Sequence, residues 1–242
     1  MKLESLTLLV GKSFTGKTAR MLHELRDEPR VILVDPKCAQ LVNLRGWVHL
    51  WPDYDEESEM WKDRVLLDYF LQLSNPPDGT VRSPYRVPFR CVVHFKHHHR
   101  DCLDLLCRMV DAVQNCVLAV DELALFCPPG SSWSLPQNVT SVAVSGTHKG
   151  IRVMGTVQRP TLVHRTIRAN ASRILFYRVT EGEEIDAVLK YMPRDWQTSP
   201  ETLPDYVCID WRDGKIPFVD SSLVGRLNTL PGRRSKYLSS EK

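Results

Sequence analysis

The chain has 242 residues, 43% hydrophobic and 25% charged. That length allows one domain or slightly more with a sizeable core, and that balance excludes collagen-like, coiled-coil and wholly disordered classes. No apolar run approaches the ~18 residues of a membrane helix, Met1 to Val10 carries no basic leader or cleavage site, and an intracellular protein is expected. Seven cysteines sit singly in apolar or helical stretches, which reads as reduced thiols.

Short apolar or β-branched runs recur at Ser5–Val10, Val31–Val34, Trp47–Trp51, Phe89–Phe95, Cys116–Val120, Ile151–Val157 and Ile174–Val179. Helical spacing fills Lys17–Arg26, Glu56–Leu73, His99–Val113 and Gly182–Tyr191 between them. Strand alternating with helix predicts an α/β protein with a mostly parallel sheet. The runs Thr7–Val10 and Val117–Val120 are apolar on both faces, as central strands covered on both sides would be. Ser74–Pro88 and Cys127–Gln137 read as surface loops. Near the end, Tyr206–Trp211 and Lys215–Val219 flank an Asp213-Gly214 turn, so residues 204–219 predict a terminal β-hairpin. The expected organisation is a single domain over residues 1–219 followed by a basic, mobile tail over 220–242.

The octet Gly11-Lys12-Ser13-Phe14-Thr15-Gly16-Lys17-Thr18 fits G-x-x-x-x-G-K-[ST] directly after a buried strand and directly before a helix. In such a loop the backbone N–H groups and the positive helix end cradle phosphates. Lys17 reaches the β and γ oxygens, and the Thr18 hydroxyl ligates magnesium. A second element, Cys116–Val120, is an apolar strand ending in Asp121-Glu122. There Asp121 would hold magnesium through water and Glu122 would deprotonate the attacking water; the plainer alternative is that both carboxylates cap the following helix. A base for water favours a hydrolase over a kinase. The third element is Gln158, 37 residues beyond Asp121, at the tip of the run Ile151–Val157 and ahead of Arg159-Pro160. From there it could contact the γ-phosphate or the lytic water; otherwise it is a loop glutamine before a proline.

Taken together, Gly11–Thr18, Val117–Glu122, Gly146–Ile151 running into Val157-Gln158-Arg159-Pro160, and Ile167–Asn170 resemble the HerA/FtsK superfamily of DNA-pumping ATPases. Within it the chain is most similar to the genome-packaging ATPases of tailless icosahedral viruses with internal membranes. The resemblance spans roughly Leu6 to Met192. It implies a P-loop NTPase fold of the RecA-like, additional-strand catalytic-glutamate type, with ATP and Mg2+ as cofactors. Also implied are a homo-hexameric ring moving double-stranded DNA, a capsid or portal vertex partner, a place in the host cytoplasm or virion, and Gln158 as sensor. An assembly or export ATPase of the filamentous-phage kind and a small-molecule P-loop kinase are the alternatives. Thr147 stands where the family usually has an arginine finger, leaving His148, Lys149, Arg152 or Arg90 to supply that charge, with Lys149 or Arg152 preferred.

Charge is distributed unevenly along the chain. Leu123–Thr180 holds no Asp or Glu across 58 residues, while Lys149, Arg152, Arg159, Arg165, Arg168, Arg173 and Arg178 add seven positive charges; the remainder therefore stands at −4 against a total of +3. That segment predicts a phosphate-facing surface, with Lys149, Arg152, Arg159, Arg165 and Arg168 as DNA contacts or finger candidates. Such contacts give weak sequence preference and steep salt dependence. His94, His97, His98 and His99 with Cys102 suggest a metal, but consecutive histidines cannot face one ion, and a solvated basic turn is the better reading. Trp47, Trp51 and Trp61 read as packing residues.

Overall fold

Period-2 alternation decides the sheet. The computed structural model describes residues 5–38, 41–55, 60–61, 64–74, 87–95, 100–130 and 135–224. The strands are β1 (Leu6–Val10), β2 (Arg30–Asp35), β3 (Val48–Leu50), β4 (Tyr54–Asp55), β5 (Met60–Trp61), β6 (Phe89–His94), β7 (Val117–Val120), β8 (Arg152–Val157), β9 (Arg173–Phe176), β10 (Cys208–Arg212) and β11 (Phe218–Asp220). The helices are α1 (Lys17–Glu24), α2 (Val65–Ser74), α3 (Arg100–Val113), α4 (Gln137–Ser145), α5 (Arg165–Ala169) and α6 (Gly182–Leu189). All strands but the small β4–β5 ribbon join one nine-stranded sheet, in the order β11-β10-β9-β1-β8-β7-β2-β6-β3.

Successive side chains on each central strand leave on opposite faces. Leu8, Val10, Ile32, Val34, Leu118, Val120 and Phe176 enter a core shared with α2, α3, α4 and α5. Leu9, Val31, Leu33, Val117, Ala119, Met154 and Leu175 enter a second core under Met21 and Leu22 of α1 and Leu25 just after it. This two-sided covering is why those strands are apolar throughout. The strands from β9 to β3 run parallel, so the carboxyl ends of β1, β7 and β8 reach the same edge, where ligands of open α/β sheets bind.

Two sequence expectations hold and one is corrected. The segment after Cys127 is irregular where described, with Cys127 itself buried and α4 beginning at Gln137. The terminal hairpin is present as β10 and β11, and β10 pairs antiparallel with β9, so the hairpin extends the main sheet. The chain from Asp220 is not free, since Asp220 is ion-paired to Arg20 and Leu223 is buried; residues 225–242 and His97 to His99 lie outside the described residues. All seven cysteines are free thiols. Among the described residues no helix is long and apolar enough to cross a membrane.

The ribbon is fastened by a buried ionic cluster. Arg173 donates to Asp210 at 2.7 Å and lies 3.4 Å from Glu24. Arg20 donates to Glu24 at 2.7 Å, to Asp220 at 3.0 Å and to Ser222 at 3.1 Å. Arg212 adds a second clamp on Asp210 at 3.0 Å. Three arginines meet three carboxylates, so the buried charges compensate one another. Burial alone would raise the Asp210 carboxyl, but the bonds from Arg173 and Arg212 prevail and hold it below the ordinary range.

Asp210→Asn, which keeps the shape and leaves Glu24 as the only carboxylate beside Arg173 among the described residues, is expected to cost about 3 kcal/mol in urea unfolding. Because the folded carboxyl titrates below the unfolded one, its stabilisation is complete at neutral pH and is lost as pH falls below about 4. The asparagine variant should therefore show the shallower loss of stability in acid.

Candidate active site

The loop after β1 is shaped by its glycines. Gly11 has φ 151°, and a Cβ there would lie 2.6 Å from Tyr177 Cβ; Gly16, at φ 105°, ends the loop and starts α1. Backbone bonds pin the loop from three sides. Gly11 N–H donates to Val157 O at 3.1 Å, Lys12 N–H to Arg178 O at 2.9 Å, and Thr15 O accepts from Tyr206 N–H at 2.8 Å. The Thr15 hydroxyl donates to Lys12 O at 2.8 Å. The buried Lys17 ammonium caps the ring, donating to Gly11 O at 2.6 Å and Lys12 O at 2.8 Å. Burial pushes that ammonium down to about 8, with Glu122 and Asp121 opposing the shift. The site thus holds a desolvated cation inside a ring of backbone, facing the open edge at Ser13 and Phe14.

The sheet order brings the other two elements beside it. β8 lies between β1 and β7, so Gln158, half-buried at the tip of β8, stands between the loop and the Asp121-Glu122 pair. Thr18 Oγ1 donates to Asp121 Oδ1 at 3.2 Å. The helix-capping alternative does not describe Glu122: it sits at φ 54°, and its side chain makes no cap bond to the short 3-10 helix Leu123–Leu125. Asp121 is 5% exposed, and burial raises its carboxyl against the hydrogen bond from Thr156. A hydroxyl and a buried carboxylate side by side are the hard-oxygen donors that magnesium takes, so Thr18 and Asp121 fit that ion.

Residues that the sequence reading passed over complete the site. Thr156, a polar residue inside β8, donates to Asp121 Oδ1 at 2.6 Å and accepts the Glu122 N–H at 2.8 Å, orienting the Asp121 carboxylate and pinning the backbone of Glu122. Its signal is a hydroxyl two residues before Gln158 in the otherwise apolar run Val153–Val157. Lys37, after β2, is salt-bridged to Glu122. His94 is no solvated turn residue: it is fully buried, 2.9 Å from His49, 3.3 Å from Asp35, and stacked 4.0 Å under Trp51.

The cations of the acid-free segment do not form an open face. Acids from outside the segment take five of them: Lys149 is bound to Asp111 at 2.6 Å, Arg152 to Glu28, Arg159 to Glu181 at 2.6 Å and Glu184 at 3.1 Å, Arg173 to Asp210, and Arg178 to Asp205 at 2.6 Å. Lys149 and Arg152 precede or open β8, whose far end meets the loop, so they lie at the opposite edge of the sheet from Lys17. Arg90, near the start of β6, caps the carbonyls of Leu25 and Arg26 and lies 4.7 Å over the Trp47 ring. The preferred finger candidates, Lys149 and Arg152, are thus both ion-paired within the chain. Among the described residues, Arg165 and Arg168 on α5 are the segment's cations without an acidic partner.

No family profile and no curated protein sequence matches the chain. Its backbone is similar to two solved structures of B204. One is the genome packaging NTPase from Sulfolobus turreted icosahedral virus 2 in complex with AMPPCP (TM-score 0.66, 13% identity, covering 89% of this chain and 96% of that one). The other is the DNA-packaging ATPase from Sulfolobus turreted icosahedral virus (0.64, 14%, 90% and 98%). The bacterial conjugative coupling protein TrwBdeltaN70 follows at TM-score 0.56 and 12% identity, covering 89% and 84%. The likeness establishes the fold, that of a P-loop NTPase with a mostly parallel sheet.

Thr156→Val removes the donor to Asp121 and leaves the Glu122 N–H without its acceptor. The expected cost is about 1–3 kcal/mol in denaturant unfolding, with Thr156→Ser retaining most of the stability. A valine variant as stable as the parent would show that the junction contributes nothing.

Proposed function

We propose that the protein is an ATP-hydrolysing motor of the HerA/FtsK kind that moves double-stranded DNA, as in packaging a viral genome into a capsid. The observation that supports this most directly is the pair of carboxylates, Asp121 beside Thr18 and Glu122 beside them, with Gln158 between that pair and the loop. A kinase need only position an acceptor; a second carboxylate is what water needs.

In this reading the loop Gly11–Thr18 binds the triphosphate through its N–H groups, and Lys17 exchanges its bonds to Gly11 O and Lys12 O for the β and γ oxygens. Magnesium, when bound by Thr18 and through water by Asp121, neutralises charge on those oxygens. Glu122 takes the proton of the attacking water, and Gln158 contacts the γ-phosphate end and relays its state along the segment Arg159 to Ala169. Residues 5–224 act as one catalytic unit within a hexameric ring that meets a capsid or portal vertex, in the host cytoplasm or the virion. Arg165 and Arg168 carry the DNA-phosphate or finger role.

The test is ATP hydrolysis with and without double-stranded DNA at low and high salt. Lys17→Ala should abolish turnover by losing nucleotide, while Glu122→Gln should still bind and lose about 10²- to 10⁴-fold in kcat. The double variant Arg165→Ala/Arg168→Ala should lose DNA stimulation and reduce the salt slope by about two. Hydrolysis indifferent to DNA would overturn translocation in favour of assembly or export work. Phosphate transfer to a small acceptor without release would make the protein a kinase.

A further inference from the structure

The site has two sides, and the residues discussed so far occupy only one. Asp121, Glu122 and Gln158 come from β7 and β8, on one side of β1. β9 and β10 lie on the other side of β1, and a triphosphate whose γ end meets those groups and whose chain runs along the sheet edge away from them would carry its nucleoside toward β9 and β10. There the chain presents Tyr206, the residue two positions before β10. Its ring lies against Gly16, the last residue before Lys17: a Cβ at Gly16 would come within 2.5 Å of Tyr206 Cδ1. Tyr206 as a residue is half-buried.

Tyr206 is also held in an unusual conformation. Its φ is 66°, in the left-handed region that a bulky side chain seldom occupies. Three contacts fix the segment there: the Tyr206 N–H donates to Thr15 O at 2.8 Å, and Arg178 reaches Asp205 at 2.6 Å and Leu203 O at 3.3 Å. Arg178 in turn accepts the Lys12 N–H on its own carbonyl at 2.9 Å. An aromatic ring is thereby carried at fixed distance from the loop that takes phosphates, on the side where the base would lie.

We propose that Tyr206 is the nucleobase platform of this site, its ring stacking on the purine of a bound nucleoside triphosphate. The assignment rests on the reading of Gly11–Thr18 as the triphosphate loop. Stacking on an aromatic face depends on the area of the base and little on its edge groups, so the platform favours purines over pyrimidines and treats adenine and guanine alike.

The test is competition binding on the full chain, with a fluorescent ATP analogue displaced by ATP, GTP, CTP or inorganic tripolyphosphate. Tyr206→Leu keeps bulk against Gly16 and removes the aromatic face; Tyr206→Phe keeps the ring. The leucine variant should bind ATP and GTP roughly 5- to 100-fold more weakly and tripolyphosphate as the parent does, with the phenylalanine variant matching the parent throughout. Equal weakening toward ATP and tripolyphosphate would overturn the assignment, making the ring a wedge behind Gly16; so would unchanged ATP affinity in the leucine variant. Lys17→Ala separates the two layers: tripolyphosphate affinity unaltered by that change would remove the phosphate loop itself, and the platform with it.

Discussion

A single carboxylate oxygen joins the two strands and the helix on which the candidate site depends. Asp121 Oδ1, at the end of β7, accepts the hydroxyl of Thr156 from β8 at 2.6 Å and that of Thr18 from the start of α1 at 3.2 Å. The site is therefore one hydrogen-bonded object and not three neighbouring loops. Removing Thr156 leaves the buried Asp121 carboxylate and the Glu122 N–H without this partner, at the cost of an unsatisfied buried polar group. Thr156 contributes twice, since its oxygen also takes the Glu122 N–H and so fixes the left-handed turn that sets Glu122 beside Asp121. The parallel register of β1, β8 and β7 makes this possible, because it brings three strand ends to the same height.

Charge in this molecule is spent largely on architecture. The long acid-free segment looks, in one dimension, like a polyanion-binding face. In three dimensions most of its cations reach across to acids outside the segment: Arg152 to Glu28, Lys149 to Asp111, Arg159 to Glu181, Arg173 to Asp210. Sequence neighbours are not spatial neighbours in a parallel sheet, where each crossover carries the chain from one edge to the other. A charge run read along such a chain therefore overstates the exposed field. What survives is narrow, and it lies on α5, in the crossover from the tip of β8 to the start of β9.

The same reasoning explains what the sequence discloses and what it withholds. The strands β1, β2, β7 and β8 are legible because burial on both faces writes an uninterrupted apolar run, and the phosphate loop is legible because its glycines and Lys17 leave little choice of residue. Thr156, Lys37 and Tyr206 are not legible in the same way. Each acts through a partner between 34 and 191 positions away, Thr156 on Glu122, Lys37 on Glu122 and Tyr206 on Thr15, and no local period records a distant contact. The terminal ribbon shows both limits at once. Its Asp213-Gly214 turn is visible, while its pairing to β9 depends on Arg173 and Asp210 meeting inside the fold.

That ribbon alters how the phosphate loop should be viewed mechanically. Behind the loop, α1 is held through Arg20 and Glu24 to Asp220 of β11 and Arg173 of β9, while in front Tyr206 is bonded to Thr15. The final described segment thus grips both the loop and its helix, with buried, charge-balanced contacts that cost several kcal/mol to break singly. A P-loop so clamped is preorganised: little of the binding energy of a triphosphate goes into ordering the loop. The same rigidity means that a shift of α1 on binding nucleotide must carry β10 and β11 with it. The edge of the sheet farthest from Glu122 is therefore mechanically tied to the nucleotide end of the molecule, through arginines that touch no phosphate.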